Sequence, residues 1–169
     1  MGAEKMKKYI AGVTALVLMA SMIPMVSADQ PTQVISVTLT PGGTLSITCN
    51  RTAWDGEGAG LGETGTTTPT DSWGKITNTG TLRADITVKV NDTDDWTVES
   101  SAGLDQFEFY INISGSGESQ FTDGGTPITF VDDLDKDQVK NFGLRVVMPT
   151  SSSTNNAQTT ELTFTATVG

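Results

Sequence analysis

The chain has 169 residues, with twenty acidic and ten basic side chains, and its formal net charge at pH 7 is −10. It contains no histidine and one cysteine, Cys49. An intramolecular disulfide is therefore excluded, as are catalytic Ser-His-Asp and Cys-His groups and the usual zinc sites, because these need imidazoles or several thiolates. The acidity argues against nucleic acid and anionic membrane surfaces as partners. These residue types predict a protein that is not an enzyme and has no cofactor.

The first 28 residues have the pattern of an export signal. Three lysines precede an apolar run from Ile10 to Met22, and Val26-Ser27-Ala28 offers small residues for cleavage. The run is shorter than the roughly 20 residues that a membrane-spanning helix needs. The sequence thus predicts a signal peptide over residues 1–28 and an extracellular or cell-surface protein with no membrane anchor in its mature form. The alternative is a type IV pilin-like subunit, processed near Lys8, that keeps its apolar N-terminus.

Cleavage after Ala28 leaves residues 29–169, which are predicted to form a single domain. The mature chain then carries seven basic and nineteen acidic side chains, a net charge of −12.

The mature segment begins with a strand-like run whose apolar members are Val34, Ile35, Val37 and Leu39. Such a strand can form a hairpin with residues 44–49 across Pro41-Gly42-Gly43, because the connection is short. It can also be donated to the sheet edge of a neighbouring molecule. A donated strand would make the protein a filament subunit, since a head-to-tail contact of this kind does not close.

Alternation of apolar and polar residues with period two recurs along the rest of the chain, which predicts strands with one buried face. In the segment 75–90, Leu82, Ala84, Ile86, Val88 and Val90 are predicted to face the core. Other predicted strands are 45–49, 96–99, 107–113, 128–131, 142–148 and 162–168. The number and spacing of these runs predict an all-β protein, a two-sheet β-sandwich of jelly-roll or immunoglobulin-like type with about seven to nine strands. Cys49 alternates with Leu45 and Ile47 and is predicted to be a small buried apolar residue.

Several polar residues are candidate ligand or modification sites. Asp133, Asp135 and Asp137 have the spacing that opens a calcium loop, but Gln138 and Leu144 stand where that loop needs glycine and glutamate. The three aspartates are therefore candidate calcium ligands, and a solvated acidic loop is the simpler expectation. Three sequons predict glycosylation candidates in an exported protein, at Asn50, Asn91 and Asn112.

Aromatic residues beside the long loop 55–72 suggest a second kind of surface. Trp54 and Trp73 could stack on the sugar rings of cell-surface glycans if both are exposed. Strand-edge tryptophans more often fill the core, and this is the simpler expectation for Trp73.

The export signal, the first strand close to Pro41-Gly42-Gly43, the run 76–88 and the Thr-rich end 158–167 together resemble small secreted β-sandwich surface proteins of prokaryotes. In particular they are similar to the TasA and camelysin group. The sequons and the acidity would fit an archaeal member. The resemblance implies a jelly-roll-like sandwich and, for filament-forming members, assembly through a donated N-terminal strand. Camelysin's name implies a protease activity, but this chain offers no residues to carry it.

Together these patterns predict an extracellular structural protein, a cell-surface or filament subunit that associates with itself into a homopolymer through its sheet edges. The alternative from another class is a secreted carbohydrate-binding or adhesive module that uses Trp54 and Trp73.

Overall fold

A computed structural model describes residues 42–67 and 71–169. Its strands are β1 (Ile47–Cys49), β2 (Thr64–Thr66), β3 (Gly74–Asn78), β4 (Ala84–Val90), β5 (Thr97–Val98), β6 (Gln106–Ile113), β7 (Gly117–Phe121), β8 (Ile128–Leu134), β9 (Val139–Val147) and β10 (Leu162–Val168). One 3-10 turn, Gly56–Gly58, is the only helical element in these two ranges. The prediction of an all-β protein is confirmed. The predicted signal peptide and the strand-like run 34–39 lie outside the described residues.

The strands form two sheets. The larger has the order β1-β3-β9-β6-β5, with β2 added on β9 and β7 added on β6. The smaller has the order β10-β4-β8, and both of its pairings are antiparallel. Over the described ranges the smaller sheet is thus three strands wide, with β4 at its centre.

The core lies between the two sheets, where alternate side chains of facing strands meet. Ile86 and Val88 of the central strand β4 have no exposed surface. Across the interface, the ring of Phe142 in β9 lies 5.8 Å from Phe130 in β8 and 5.3 Å from Phe164 in β10, measured between ring centroids. The alternating apolar residues of β4, β6 and β9 in the sequence are therefore the residues that form the core.

Asn78 connects the two sheets inside this core. It is the last residue of β3 and is fully buried. Its amide nitrogen donates to the carbonyl oxygens of Leu82 (2.9 Å) and Leu134 (2.8 Å), and its Oδ1 accepts from the N–H of Gly80 (3.0 Å). A polar side chain is tolerated here because its hydrogen bonds are made within the protein.

The count of seven to nine strands was too low, since ten lie in the described residues alone. The predicted segment 75–90 divides into two strands, β3 and β4. The other additional strands are β2, with the sequence Thr-Gly-Thr, and β7, which begins Gly-Glu-Ser-Gln. Neither has the apolar alternation that identifies a strand from sequence. Both are added beside longer, well-patterned strands, and tertiary pairing with β9 and β6 defines them.

Candidate functional site

An apolar groove runs beside β10, between the strand and the segment that follows β1. We call it the β10 groove. It has a volume of about 570 Å³. Its floor is formed by side chains of the larger sheet, one wall by the segment after β1 together with Trp73, and the other wall by β10 and the residues just before it. The main lining residues are Phe109, Phe142 and Leu144 in the floor, Cys49 and 51–54 with Trp73 in the first wall, and 159–164 in the second.

A smaller hollow of about 200 Å³ continues the groove toward Trp96 and Met148. Trp54 and Phe109 line both spaces. The apolar surface is therefore continuous along this side of the molecule.

The core-facing side chains of β10 are incompletely covered. Leu162, Phe164 and Ala166 point to the same side as the core but are only half-buried, and Val168 is 62% exposed. The neighbouring strand β4 has no exposed surface at its core positions. In the part of the chain that the structure describes, β10 pairs with β4 alone, so one of its backbone edges has no strand partner. An unpaired edge next to uncovered apolar side chains is the usual site of strand addition.

The wall opposite β10 is held to β3 by hydrogen bonds. The backbone N–H of Asn50 donates to the carbonyl oxygen of Lys75 (3.2 Å), and Oδ1 of Asn50 accepts from the N–H of Lys75 (2.7 Å). Nε of Arg51 donates to the carbonyl oxygen of Trp73 (3.0 Å), and the guanidinium carbon lies 5.0 Å from the centroid of the Trp73 ring. These contacts hold the first wall of the β10 groove against β3.

Trp54 and Trp73 come together in this wall. Their ring centroids are 6.2 Å apart with the planes tilted by 58°, and Trp54 also packs edge-on against Phe109. Both tryptophans are half-buried against the core. Because their faces are not parallel, the pair does not form a flat platform, although both rings line the groove.

The groove offers apolar and aromatic surface with few ionisable groups. Those that line it are Cys49, Arg51 and Glu161, all exposed. Charged groups lose hydration in such a groove, whereas aliphatic side chains gain by leaving water. The arrangement therefore suits a partner with alternating aliphatic side chains and unpaired backbone N–H and C=O groups.

The prediction that Cys49 is buried was wrong, because its side chain is exposed. It is the last residue of β1, an edge strand that pairs with β3. No strand among the described residues covers it, and it lies at the mouth of the β10 groove. The alternation of apolar and polar residues identified strand β1. It could not show that Cys49, on the inward side of that strand, faces an open groove.

The three aspartates of the calcium hypothesis lie at the end of β8 and in the connection that leads from β8 in the smaller sheet to β9 in the larger sheet. Oδ1 of Asp133 is 3.0 Å from Nη1 of Arg83, and Oδ1 of Asp135 is 3.3 Å from its Nε. Asp137 has a left-handed backbone, with φ of 63°. Within the two described ranges, no group of three or more acidic or cysteine side chains is placed to hold a metal ion. Arg83 is the counter-ion of Asp133 and Asp135 in this structure.

The three sequon asparagines differ in setting. Asn50 is exposed at the edge of the groove wall, with its Oδ1 used by Lys75. Asn112 lies on the outward side of β6, half-exposed, and Asn91 follows β4 with its carbonyl oxygen bonded by Thr160. Their glycosylation stays a prediction.

The described residues contain no helix long and apolar enough to cross a membrane.

Sequence reasoning had placed Phe109, Phe142 and Phe164 in the core without indicating that they border a groove. No local signal distinguishes a covered inward side chain from an uncovered one. The one sequence feature that pointed to such a groove was the strand-like run 34–39, whose alternating apolar side chains would have to be buried against another strand.

In comparisons with protein families, curated proteins and solved structures, nothing matches this chain. The resemblance to the TasA and camelysin group thus rests on the sequence features alone.

Proposed function

We propose that this protein is an extracellular structural protein, a cell-surface or filament subunit, in which residues 34–39 of one copy fill the β10 groove of another. The sandwich would then be of jelly-roll or immunoglobulin-like type, with the donated strand completing the smaller sheet. The observation that carries the proposal is the edge of β10 that has no partner among the described strands, beside the half-buried side chains of Leu162, Phe164 and Ala166.

The donated segment fits this groove in pattern and in length. Ile35, Val37 and Leu39 alternate with polar residues, as Leu162, Phe164 and Ala166 do in β10. A strand with this pattern can direct three aliphatic side chains into the groove while its backbone pairs with the open edge. Burial of each such side chain contributes about 1.5–3 kcal/mol before the costs of ordering and association.

The test uses the full chain and two substitutions one residue apart. Val37→Asp would place a carboxylate in the β10 groove, and Thr38→Asp would place the same charge on the outward side of the donated strand. We expect Val37→Asp to abolish filaments and Thr38→Asp to retain them, in negative-stain electron micrographs of purified secreted protein over a concentration series. Filaments in Val37→Asp at wild-type concentrations would reject strand donation.

A peptide competition guards against the case in which Val37→Asp simply fails to fold. A synthetic peptide of residues 33–40 added to wild-type protein should cap the groove and shorten the filaments. A scrambled peptide of the same composition should leave them unchanged. Equal effects of the two peptides would contradict the proposal.

A carbohydrate-binding or adhesive module is the second candidate, because Trp54 and Trp73 line the same groove. It predicts a monomer that is retained on immobilised glycans and that loses retention with Trp54→Ala. The floor of phenylalanine and leucine side chains favours strand donation, since sugar hydroxyls buried there would lack hydrogen-bond partners. N-terminal sequencing of the secreted form separates both candidates from a type IV pilin-like subunit, which would begin near Lys8 and not at Asp29.

A further inference from the structure

The chain enters its own domain near Val168, where β10 ends. The carbonyl oxygen of Thr44 accepts from the N–H groups of Thr81 (2.8 Å) and Leu82 (3.2 Å). The backbone of Gly43 lies so close to the Leu82 side chain that a Cβ at this position would force that side chain to shift. Two residues after Leu82, Ala84 pairs with Val168, the last residue of β10. We call this the Gly42 end, and any strand that a molecule donates leaves its domain there, because residue 41 is bonded to Gly42.

The β10 groove itself lies beside the other end of the strand, where β10 begins. Leu162 pairs with Val90, and the N–H of Asn91 donates to the carbonyl oxygen of Glu161 (3.1 Å). Just before the strand, Oε1 of Gln158 accepts from Oγ1 of Thr93 (2.8 Å). We call this the Gln158 end. It is about 20 Å from the Gly42 end, the length of a seven-residue strand.

These positions link the direction of the donated strand to the kind of assembly. In a parallel arrangement, the donated strand ends at the Gly42 end of the acceptor, so the Gly42 ends of both molecules meet. The acceptor's own segment also leaves from that end, and the two copies can exchange strands and close into a dimer. In an antiparallel arrangement, the Gly42 end of the donor meets the Gln158 end of the acceptor. That contact is heterologous and repeats without closing.

We propose that residues 34–39 of a second copy lie antiparallel to β10, so that subunits join head to tail, Gly42 end to Gln158 end. This inference rests on the proposed function. Antiparallel pairing is somewhat more stable per residue than parallel pairing, and both existing pairs of the smaller sheet are antiparallel. With Ser36 opposite Thr165, Leu39 lies opposite Leu162, Val37 opposite Phe164 and Ile35 opposite the small Ala166.

Pairs of cysteines distinguish the two directions, because a disulfide forms only between Cβ atoms about 3.5–4.5 Å apart. All variants carry Cys49→Ser, so that the natural thiol does not take part. The antiparallel pairs are V34C with T167C and T38C with T163C. The parallel pairs are V34C with T163C and T38C with T167C, and they use the same four outward-facing positions. S36C with T165C, at the centre of both strands, should cross-link in either direction.

We expect the central pair and the two antiparallel pairs to give a ladder of dimers and higher oligomers on non-reducing denaturing gels. The parallel pairs should stay largely monomeric. Cross-linking by the parallel pairs, as dimers or as a faster-migrating monomer with an internal disulfide, would overturn the head-to-tail direction while leaving strand docking beside β10 intact. If the central pair does not cross-link, docking itself is rejected, and the proposed function falls with it.

Discussion

Replacing Asn78 should be among the most destabilising single changes in the described residues. The side chain is fully buried and makes three hydrogen bonds, two to the carbonyl oxygens of Leu82 and Leu134 and one from the N–H of Gly80. Asn78→Ala leaves three backbone groups without their partner, and each unsatisfied buried group costs about 1–3 kcal/mol. Allowing for water reaching some of them, we expect a loss of about 3–5 kcal/mol in the free energy of unfolding, a large part of the 5–15 kcal/mol typical of a domain.

Urea unfolding followed by tryptophan fluorescence would measure this loss, since all three tryptophans are half-buried against the core. Asn141→Ala is the matched control, because Asn141 is a half-exposed asparagine in β9, and its replacement should change stability by less than about 0.5 kcal/mol. Asn78→Asp keeps an acceptor for Gly80 but cannot donate to Leu82 and Leu134 when ionised. A protonated carboxyl group can donate one hydrogen bond. The difference in free energy of unfolding between Asn78→Asp and wild type should therefore become smaller as acid protonates the new side chain.

The reasoning would be refuted if Asn78→Ala lay within about 1 kcal/mol of the Asn141→Ala control. The two sheets would then be held together by apolar packing alone, with the Asn78 hydrogen bonds replaced by water at little cost.

Three further predictions concern the core, the acid stability and the assembly. Ile111→Ala, at a position with no exposed surface, should cost about 2–5 kcal/mol, whereas Leu104→Ala, where the side chain is 61% exposed, should cost less than about 0.5 kcal/mol; similar urea midpoints for the two would contradict the core assignment. Hydrogen bonds from Ser153 and Ser152 hold the pKa of Asp105 below its usual 3.8 in the folded protein. The ionised Asp105 carboxylate therefore stabilises the folded state above pH 3.8, and this contribution is lost as the pH falls through the lower, folded-state pKa. Asparagine tolerates the left-handed backbone at this position (φ of 54°), so Asp105→Asn should fold normally. Below pH 3.8 its melting temperature should fall less than that of wild type. Parallel plots of melting temperature against pH for the two proteins would show that the carboxylate contributes nothing. On the proposal that the chain is cleaved after Ala28 and assembles, its subunits carry a net charge of −12 and repel each other. Raising NaCl from 0.01 to 0.15 M should then lower the concentration at which light scattering detects filaments, and the opposite trend would contradict the proposed assembly.

The sequence alone determined that the protein is all-β and where most of its strands lie. Strands β4, β6, β9 and β10 were recognisable because each places apolar residues on one side at every second position, and that periodicity depends only on local backbone geometry. For the same reason β2 and β7 could not be recognised, since their short polar sequences become strands only when they pair with β9 and β6.

Only the tertiary structure decided which inward-facing side chains are covered. Val88 and Phe164 occupy equivalent positions in their strands, and nothing local distinguishes them. In the part of the chain that the structure describes, β4 lies between two strands and β10 pairs on one side only, so Val88 is fully buried while Phe164 borders a groove. The prediction that Cys49 is buried was wrong for the same reason. Alternation predicts which side of a sheet a side chain lies on, whereas its burial depends on which strands pack against that side.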